Sequence, residues 1–554
     1  MKKHLIVACC IFLSLLNSYA QISTIGIPSP KHEIRAVWLT TIGGIDWPHS
    51  YQADKQKAEL REILDHLKTA GINTVLLQTR VRGTTIYPSA IEPFDGCMTG
   101  IPGKDPRFDP LQFAIDECHS RGMQLHAWVV TIPVGKWKKL GCTQLKKKHP
   151  KLITKIGEDG FMNPENPETA NYLTNICQEI VERYDVDGIH LDYIRYPETW
   201  KLRVSRQKGR ENITNIVSKI YHRVKLLKPW VMVSCSPIGK HDNLLRYPSN
   251  GWNARTTVCQ DAQQWLKDGI MDALFPMMYF RDNHFFPFAI DWQEHSYGRF
   301  VVPGLGIYFL YPKECKWTLD VIDRQLNVIR DLGMGHCYFR SKFFTDNVKG
   351  VYDLGCRFNQ SPALIPPMTW MSDEHPQAPS SIRLTNGTLS WTSSSSDSFI
   401  SNNRNCAYLL YNIYASDTYP VDIEKAENLI VTRFMGNELH VQEGLYYPVT
   451  AQNRYGIESE PCQMTVSTAL SKNAMFHSPK AQIVSNSVEL PFKASTLDAD
   501  FIIIETLQGR TVSVHPYKGN HLSVRHLPEG IYAFRSLGRK GRNHRLGYFS
   551  VKRH

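Results

Sequence analysis

One alternation restricts the fold more than any other feature of this chain. From Glu33 to about Phe358, short apolar runs of strand character take turns with segments whose apolar residues recur at helical spacing. EIRAVWLTT is the first run. Leu60, Ile63, Leu64 and Leu67 then share a helical face, and Gly71 follows as a stop. INTVLLQTR is next. Asp109–Pro110 opens a second helix, acid as cap and proline at the first helical position, with Leu111, Ala114, Ile115 and Cys118 as its face. MQLHAWVVT follows Gly122. Asn166–Pro167 repeats the opening ahead of Leu173, Ile176, Cys177, Ile180 and Val181, and leads to VDGIHLDYIRYP. A helix through Ile213, Ile216, Val217 and Ile220 feeds WVMVSCSPIG; one through Ala262, Trp265 and Leu266 feeds MDALFPMMYF. RFVVPGLGIYF is a seventh run, and a helix from Thr318 to Leu332 leads to the eighth, GHCYFRS. Eight strands with helices between them predict a TIM (β/α)8 barrel over residues 21–361. A doubly wound open sheet is the alternative. It would normally carry a glycine-rich phosphate loop after its first strand, which TTIGGIDWPHS does not.

In a barrel, alternate strand residues face the lumen and the helices. In VDGIHLDYIRYP, Ile189, Leu191 and Tyr193 suit the helix layer, and Gly188, His190 and Asp192 face inward. Asp192 thereby arrives at the C-terminal rim, where barrel enzymes build their sites. The same parity argument sends Gln78 and Arg80, His126 and Trp128, and His336, Tyr338 and Arg340 inward, while Tyr279 ends its own run at that rim. Structural roles compete. Arg80 or Arg340 could neutralise Asp192 in a buried network. His126 could be a satisfied core histidine, and for the deeper His190 that is the preferred reading.

A polar rim rich in aromatics points to sugar, because pyranose C–H faces stack on Trp and Tyr while hydroxyls need bidentate polar partners. Trp38, Trp47, Trp128, Tyr87, Tyr279 and Tyr308 are the candidate platforms, with Gln78, Arg80, His126 and Arg340 as polar binders. Glycosidic bonds are usually broken by two carboxylates, one protonated and one not. Asp192 is the first candidate. Glu198, Asp46 and Asp261 are candidates for the second, and Glu92 is a further carboxylate after the second strand.

Six segments then resemble, in order, the glycosyl-hydrolase-like family 10, once a domain of unknown function and typified by exported bacterial proteins. They are EIRAVWLTTIGGIDWP, INTVLLQTRVRGTTIYPSAIEPFDGCMTG, FDPLQFAIDECHSRGMQLHAWV, VDGIHLDYIRYP, VSCSPIG and LFPMMYF. The resemblance spans about Glu33 to Phe358 and implies a TIM-barrel glycosidase, some members acting on peptidoglycan glycan strands stripped of peptide stems. Two departures stand out. The family usually has paired acids in its fourth-strand motif; here Asp192 matches the first and Tyr193 replaces the second. HAWVVTIPVG also lacks the Asn and Arg that usually end the third-strand motif.

The remainder divides by composition. Residues 1–20 carry Lys2 and Lys3, an apolar run from Leu5 to Leu16 and Ser18–Tyr19–Ala20, the pattern of a secretory signal peptide. That predicts an exported chain, and no later stretch is long enough to span a bilayer. Residues 362–378 form a Pro-rich linker that predicts a separable barrel. Residues 379–467 resemble a fibronectin type III β-sandwich, through Trp391, YNIYAS and YPVTAQNRYGIES. Residues 475–554 form a small all-β domain whose GRTVSV, LPEGIYAF and GYFSVKR resemble the C-terminal sorting domains of type IX secretion. The 13 cysteines show no metal-ligand spacing, so no metal or cofactor is expected. The net charge of +12 suits an anionic polymer and sits partly in KWKKLGCTQLKKKHP, with no nucleic-acid motif beside it. The expected activity is hydrolysis of a polysaccharide or oligosaccharide. The competing expectation is a catalytically weak carbohydrate-binding or scaffold protein, which Tyr193 keeps open. A lyase or deacetylase is a thinner third option, the latter usually needing a metal cluster.

Overall fold

The computed structural model describes residues 29–247, 251–393, 408–442 and 444–464, and within the C-terminal region 482–484, 487–489, 501–506, 511–516, 521–525, 527–537 and 543–552. The run read as a signal peptide lies outside the described residues.

Eight strand positions form where the alternation put them. β1 (Arg35–Leu39), β2 (Thr74–Arg80), β3 (Gln124–Val130), β4 (Gly188–Asp192), β5 (Met232–Ser236) and β6 (Ala273–Leu274) pair in parallel, each with the next. β7 comes in two pieces either side of Val302–Pro303, a break that suits a residue with no N–H for the ladder. Its first piece, Phe300–Val301, pairs with β6; its second, Gly304–Leu305, pairs with β8 (His336–Tyr338), which pairs with β1. The sheet therefore closes on itself as an α/β barrel. The helices form for the reasons expected. The Asp109 carboxylate accepts from the N–H groups of Leu111 and Gln112 at 3.1 Å each, and Asn166 caps the next helix through the N–H of Glu168 at 3.0 Å.

Lumen and helix layer separate by parity. Ala36, Trp38, Leu76, Trp128, Val130 and Met232 pack inside with Phe275, Val302 and Cys337. Val37, Leu77, Ala127, Ile189, Leu191 and Val233 pack outward. Two expectations fail here. β8 has the opposite parity to the one expected: Cys337 is opposite Ala36 and shares its lumen face, so Tyr338 points outward and stacks on Phe344 at 4.5 Å. In β2 the pairing register shifts between Gln78 and Arg80, a bulge that turns Arg80 out of the lumen.

An excursion that the strand–helix alternation does not announce follows β3. Strands Pro133–Lys136, Ile153–Ile156 and Asp159–Met162 make a small antiparallel sheet, with helix Leu140–Lys148 beside it. It leaves the C-terminal end of β3 and so stands on the face where barrel sites are built.

The C-terminal half is all β among the described residues. A three-stranded sheet (Ser380–Thr385, Thr388–Thr392, Glu438–His440) packs on a four-stranded one (Leu410–Tyr414, Leu429–Phe434, Pro448–Gln452, Cys462–Gln463) through Leu389, Trp391, Ile413 and Val449. A five-stranded sheet within Gln482–Val551 has its own core around Ile504 and Phe534.

The segment 362–378 is packed rather than free. Leu364 exchanges backbone hydrogen bonds with Lys31 and Glu33, Ile365 and Met368 close the base of the lumen, and the Trp370 indole donates to Asp272 at 3.0 Å. The sandwich docks on the same N-terminal face. Arg433 meets Asp187 at 2.6 Å, Arg454 meets Asp185 at 2.8 Å, and the Tyr408 hydroxyl donates to Asp185 at 2.6 Å. A Cβ on Gly122 would stand 2.1 Å from the carbonyl of Thr432, so this approach needs a glycine.

Beside that face, Glu33 is buried against Arg35 at 2.6 Å and Arg330 at 2.7 Å. Burial pushes its carboxyl up, but Arg35, Arg330 and His336 outweigh it and hold it at about 2. A depressed folded-state value means stability that is present above the ordinary carboxylate range and lost as pH falls through it, about 3 kcal/mol in all. Urea unfolding between pH 6 and 2.5 should therefore fall less steeply below pH ~4.5 in Glu33→Gln than in the parent, by up to one proton. Parallel profiles would refute the linkage.

Candidate active site

Asp192 ends β4 opposite Val130 of β3 and Ser236 of β5. That register collects its partners. Oδ1 accepts from the Ser236 hydroxyl at 2.7 Å and from the N–H of Tyr193 at 2.8 Å; Oδ2 accepts from the Trp128 indole at 3.1 Å. Tyr193 has φ +55°, a left-handed turn unusual for a bulky residue. The turn aims its N–H back at the carboxylate.

Glu198 lies alongside. Its carboxylate accepts from the Tyr193 hydroxyl at 2.6 Å and pairs with Arg195 at 2.9 Å. Burial raises its pKa, but Tyr193 and Arg195 outweigh that and leave it below the usual range. The Arg195 guanidinium also stacks 3.7 Å from the centre of the Tyr193 ring. Asp192, Tyr193, Arg195 and Glu198 thus form one connected cluster.

An aromatic wall faces it across the β6–β8 rim. Tyr279 lies 5.1 Å from Phe339 and 5.7 Å from Tyr308, ring centre to ring centre. The Tyr279 hydroxyl is buried with no hydrogen-bond partner among the described residues. Burial foremost, with Cys337 and the Asp192 charge adding, pushes this phenol well above its usual range. A buried unpaired hydroxyl costs about 1–3 kcal/mol, and a bound polar group would recover it.

Below the rim, the Trp38 indole donates to His190 Nε2 at 3.2 Å. The imidazole proton therefore sits on Nδ1, 3.0 Å from the Ser234 hydroxyl. Burial drives this histidine well below its ordinary pKa, so it is a neutral core residue. His126, expected as a binder, is deeper still. It contacts Gln124 at 3.0 Å, burial pushes it down to about 4, and it faces Gly188 near the base of the barrel.

Several other expected binding and catalytic residues do structural work. Gln78 accepts the N–H groups of Thr41 and Ile42 at 3.0 and 2.8 Å, tying β2 to the loop after β1. Arg80 forms a two-point pair with Glu92 at 2.7 and 2.8 Å, and the Tyr172 hydroxyl joins Glu92 at 3.0 Å. Among the described residues, neither Arg80 nor Glu92 forms a hydrogen bond or ion pair with Asp192. Asp46 pairs with Arg340 and accepts the N–H of Thr40 at 2.9 Å, joining the loops after β1 and β8. Burial raises its pKa against the pull of Arg340. Asp261 sits among His241, Arg255 and Arg210 at 3.4 to 3.6 Å, and these outweigh burial to lower its pKa. Trp47 donates to the carbonyl of Gln56 at 2.8 Å and Tyr87 to Glu179 at 2.9 Å; both are core residues. Of the candidates, Asp192, Glu198, Trp128, Tyr279 and Tyr308 remain at the rim. Ser236 and Arg195 were missed. The parallel register of β4 and β5 places Ser236 opposite Asp192, and that pairing is the signal that finds it.

No group of three or more His, Cys, Asp or Glu among the described residues could hold a metal ion, and no described helix is long and apolar enough to cross a membrane.

Residues 33–208 and 201–308 match the family described as Glycosyl hydrolase-like 10. The chain is similar to Glycosyl hydrolase YngK of Bacillus subtilis, 28% identical over 64% of this chain and 78% of that protein. It is also similar to Glycosyl hydrolase DigH of Escherichia coli K12, 32% identical over 44% of this chain and 65% of that protein. Among solved structures, the glycoside hydrolase domain of PgaB (BpsB) from Bordetella bronchiseptica is 14% identical with a TM-score of 0.43, over 58% of this chain and 98% of that one. By the family match and by both relatives, the barrel segment of this chain is glycosyl hydrolase-like.

Proposed function

We propose that the protein is an exported glycoside hydrolase that cleaves glycosidic bonds in a bacterial glycan, with peptidoglycan glycan strands as the first substrate to try. The observation that carries this reading is the placing of Asp192, an oriented carboxylate at the C-terminal end of β4 in a glycosyl hydrolase-like barrel. Its two oxygens are treated unequally. Oδ1 takes two donors and Oδ2 takes one, so the carboxylate is held in one orientation and Oδ2 keeps a lone pair free. In this reading Asp192 is the group that passes a proton to the leaving oxygen. Glu198, kept ionised by Arg195 and the Tyr193 hydroxyl, is suited to the anionic role. In this reading Glu198 takes the part left open by Tyr193, and Trp128, Tyr279 and Tyr308 stack on or bind the sugar.

A second reading, a catalytically weak carbohydrate-binding protein, is favoured by Tyr193 standing in the usual acid position. Release of reducing ends from purified glycan strands separates the two. The lysine-led apolar run at residues 1–20 supports export. The three-plus-four strand arrangement supports a fibronectin type III-like role for 379–467, and the terminal β-region supports a sorting role.

Ser236→Ala removes one of three donors to Asp192 and should lower kcat about tenfold with KM little changed, the worth of roughly one hydrogen bond. Steady-state kinetics beside thermal melts test this. A KM effect alone would move Ser236 out of the acid's support.

A further inference from the structure

The loops after β1, β2 and β3 enclose a cleft of about 630 Å³ on the C-terminal face. Its walls are tightly built. A Cβ on Gly83 would stand 2.7 Å from Val134, and one on Gly141 would stand 2.8 Å from the carbonyls of Arg82 and Gly83. Glycines thus let the β2 loop and the excursion lie against each other. At the mouth, the Tyr51 ring lies flush on Gly100, where a Cβ would come within 3.1 Å of it, and is 67% exposed.

The electrostatics are one-sided. Residues 133–162 hold eight lysines against two carboxylates, Glu158 and Asp159. Asp159 is taken by Lys136 at 2.9 Å, and Glu158 lies 3.9 Å from Lys155. Arg82 and Lys139, both exposed and both on the cleft, have no ion pair among the described residues. The carboxylate in the lining, Asp95, accepts from the Thr84 hydroxyl at 2.7 Å and the N–H of Cys97 at 2.8 Å. The cleft also adjoins the Asp192 cluster. Thr131 donates to the Asp192 carbonyl through its N–H and hydroxyl at 2.9 and 2.8 Å. Val134, three residues on, already lines the cleft, at most about 11 Å of chain away.

We propose that this cleft is a binding stretch for a polyanionic glycan strand, in which Tyr51 offers its face to a sugar ring and Arg82 and Lys139 take carboxylates. The placing beside Asp192 rests on the glycosidase reading; the binding does not. An exposed aromatic face beside unpaired cations suits a sugar polymer that carries regularly spaced acids. Of the eight lysines, Lys136 and Lys139 line the cleft, and Lys136 is tied to Asp159.

Affinity electrophoresis of the full chain tests this, with Asp192→Asn in place so that nothing is cut. The gels contain hyaluronate, hyaluronate with its carboxylates reduced to alcohols, or linear polyphosphate at equal charge. Hyaluronate should bind at least tenfold more tightly than its reduced form. Arg82→Ala/Lys139→Ala, and separately Tyr51→Ala, should each lose about tenfold with unchanged melting. Equal retardation by the reduced polymer overturns the proposal, as does a double variant that binds like the parent. Polyphosphate binding as strong as hyaluronate binding and indifferent to Tyr51 also overturns it, since that is plain ion exchange. Binding to hyaluronate by a chain whose wild type releases no reducing ends from any glycan would sink the glycosidase reading and leave this one standing. Cleavage of neutral glycans with no hyaluronate binding would do the reverse.

Discussion

Asp192→Asn should abolish turnover of a polymeric glycan, with kcat falling at least ~10²-fold and binding retained, because a positioned proton donor typically contributes 10²–10⁴. Asparagine keeps the size of the side chain, and its amide oxygen can still accept from Ser236, but its NH2 cannot accept from the Trp128 indole and has no acid proton to give a leaving oxygen. The same variant should be far less impaired on a 2,4-dinitrophenyl glycoside, whose leaving group needs no protonation. Glu198→Gln should lose both activities, since an anionic role is needed whatever departs. This contrast separates the proposed assignment from its reverse. If Asp192→Asn fails equally on both substrates while Glu198→Gln spares the activated one, the roles are exchanged. If Asp192→Asn turns over polymer like the parent, Asp192 is structural.

The alternation of strands and helices was enough to place all eight barrel strands, because each is a short apolar run bounded by turn residues. Face was harder to read than position. In β4 the parity of His190 and Asp192 held, since a five-residue strand in unbroken register has only two ways to present its side chains. In β2 the bulge carried Arg80 to the far side, and no local residue announces a bulge there. In β8 the strand is three residues long, and its face is set by which residue meets Ala36 rather than by its own pattern.

The site was legible to a similar depth. Asp192 stood out because a carboxylate on an apolar strand needs a reason. Ser236 and Trp128 reach it only through pairing with strands far away in sequence, and Arg195 reaches Glu198 only through the turn at Tyr193. Asp46 and Asp261 looked equal to Glu198 in the sequence because arginine partners more than 30 residues away, Arg340 and Arg210, are invisible until the chain folds. The packing of the Pro-rich stretch was hidden for another reason. Proline fixes an extended backbone whether it is free or laid along a surface, and only Leu364, Ile365, Met368 and Trp370 distinguish the two. Ile365, Met368 and Trp370 close the base of the barrel, and Leu364 packs on Tyr414, Val421 and Leu429 of the sandwich.

That closure leads to a second large effect, on stability. Arg454→Ala should destabilise the folded chain by about 3–5 kcal/mol, the cost of leaving buried charge without its partner. Arg454 is itself almost fully buried and meets Asp185 at 2.8 Å and Asp187 at 3.4 Å. Asp187 also takes Arg433, His119 and the N–H of Leu125, so removing one arginine leaves a carboxylate pair that the barrel base cannot hydrate. The barrel is accordingly not expected to stand alone. Ending the chain at Ser361 removes the strap residues Ile365, Met368 and Trp370 along with the sandwich; ending it at Pro379 keeps the strap but loses Arg433, Arg454 and Tyr408. Urea unfolding should rank residues 29–467 above 29–379, and 29–379 above 29–361. Gly122→Ala in the longest of these should fall toward the sandwich-free value, because its added Cβ would meet the carbonyl of Thr432. Equal stability of all three truncated chains would mean that the barrel and sandwich fold independently and that the buried ion pairs between them contribute nothing net, as some buried pairs do.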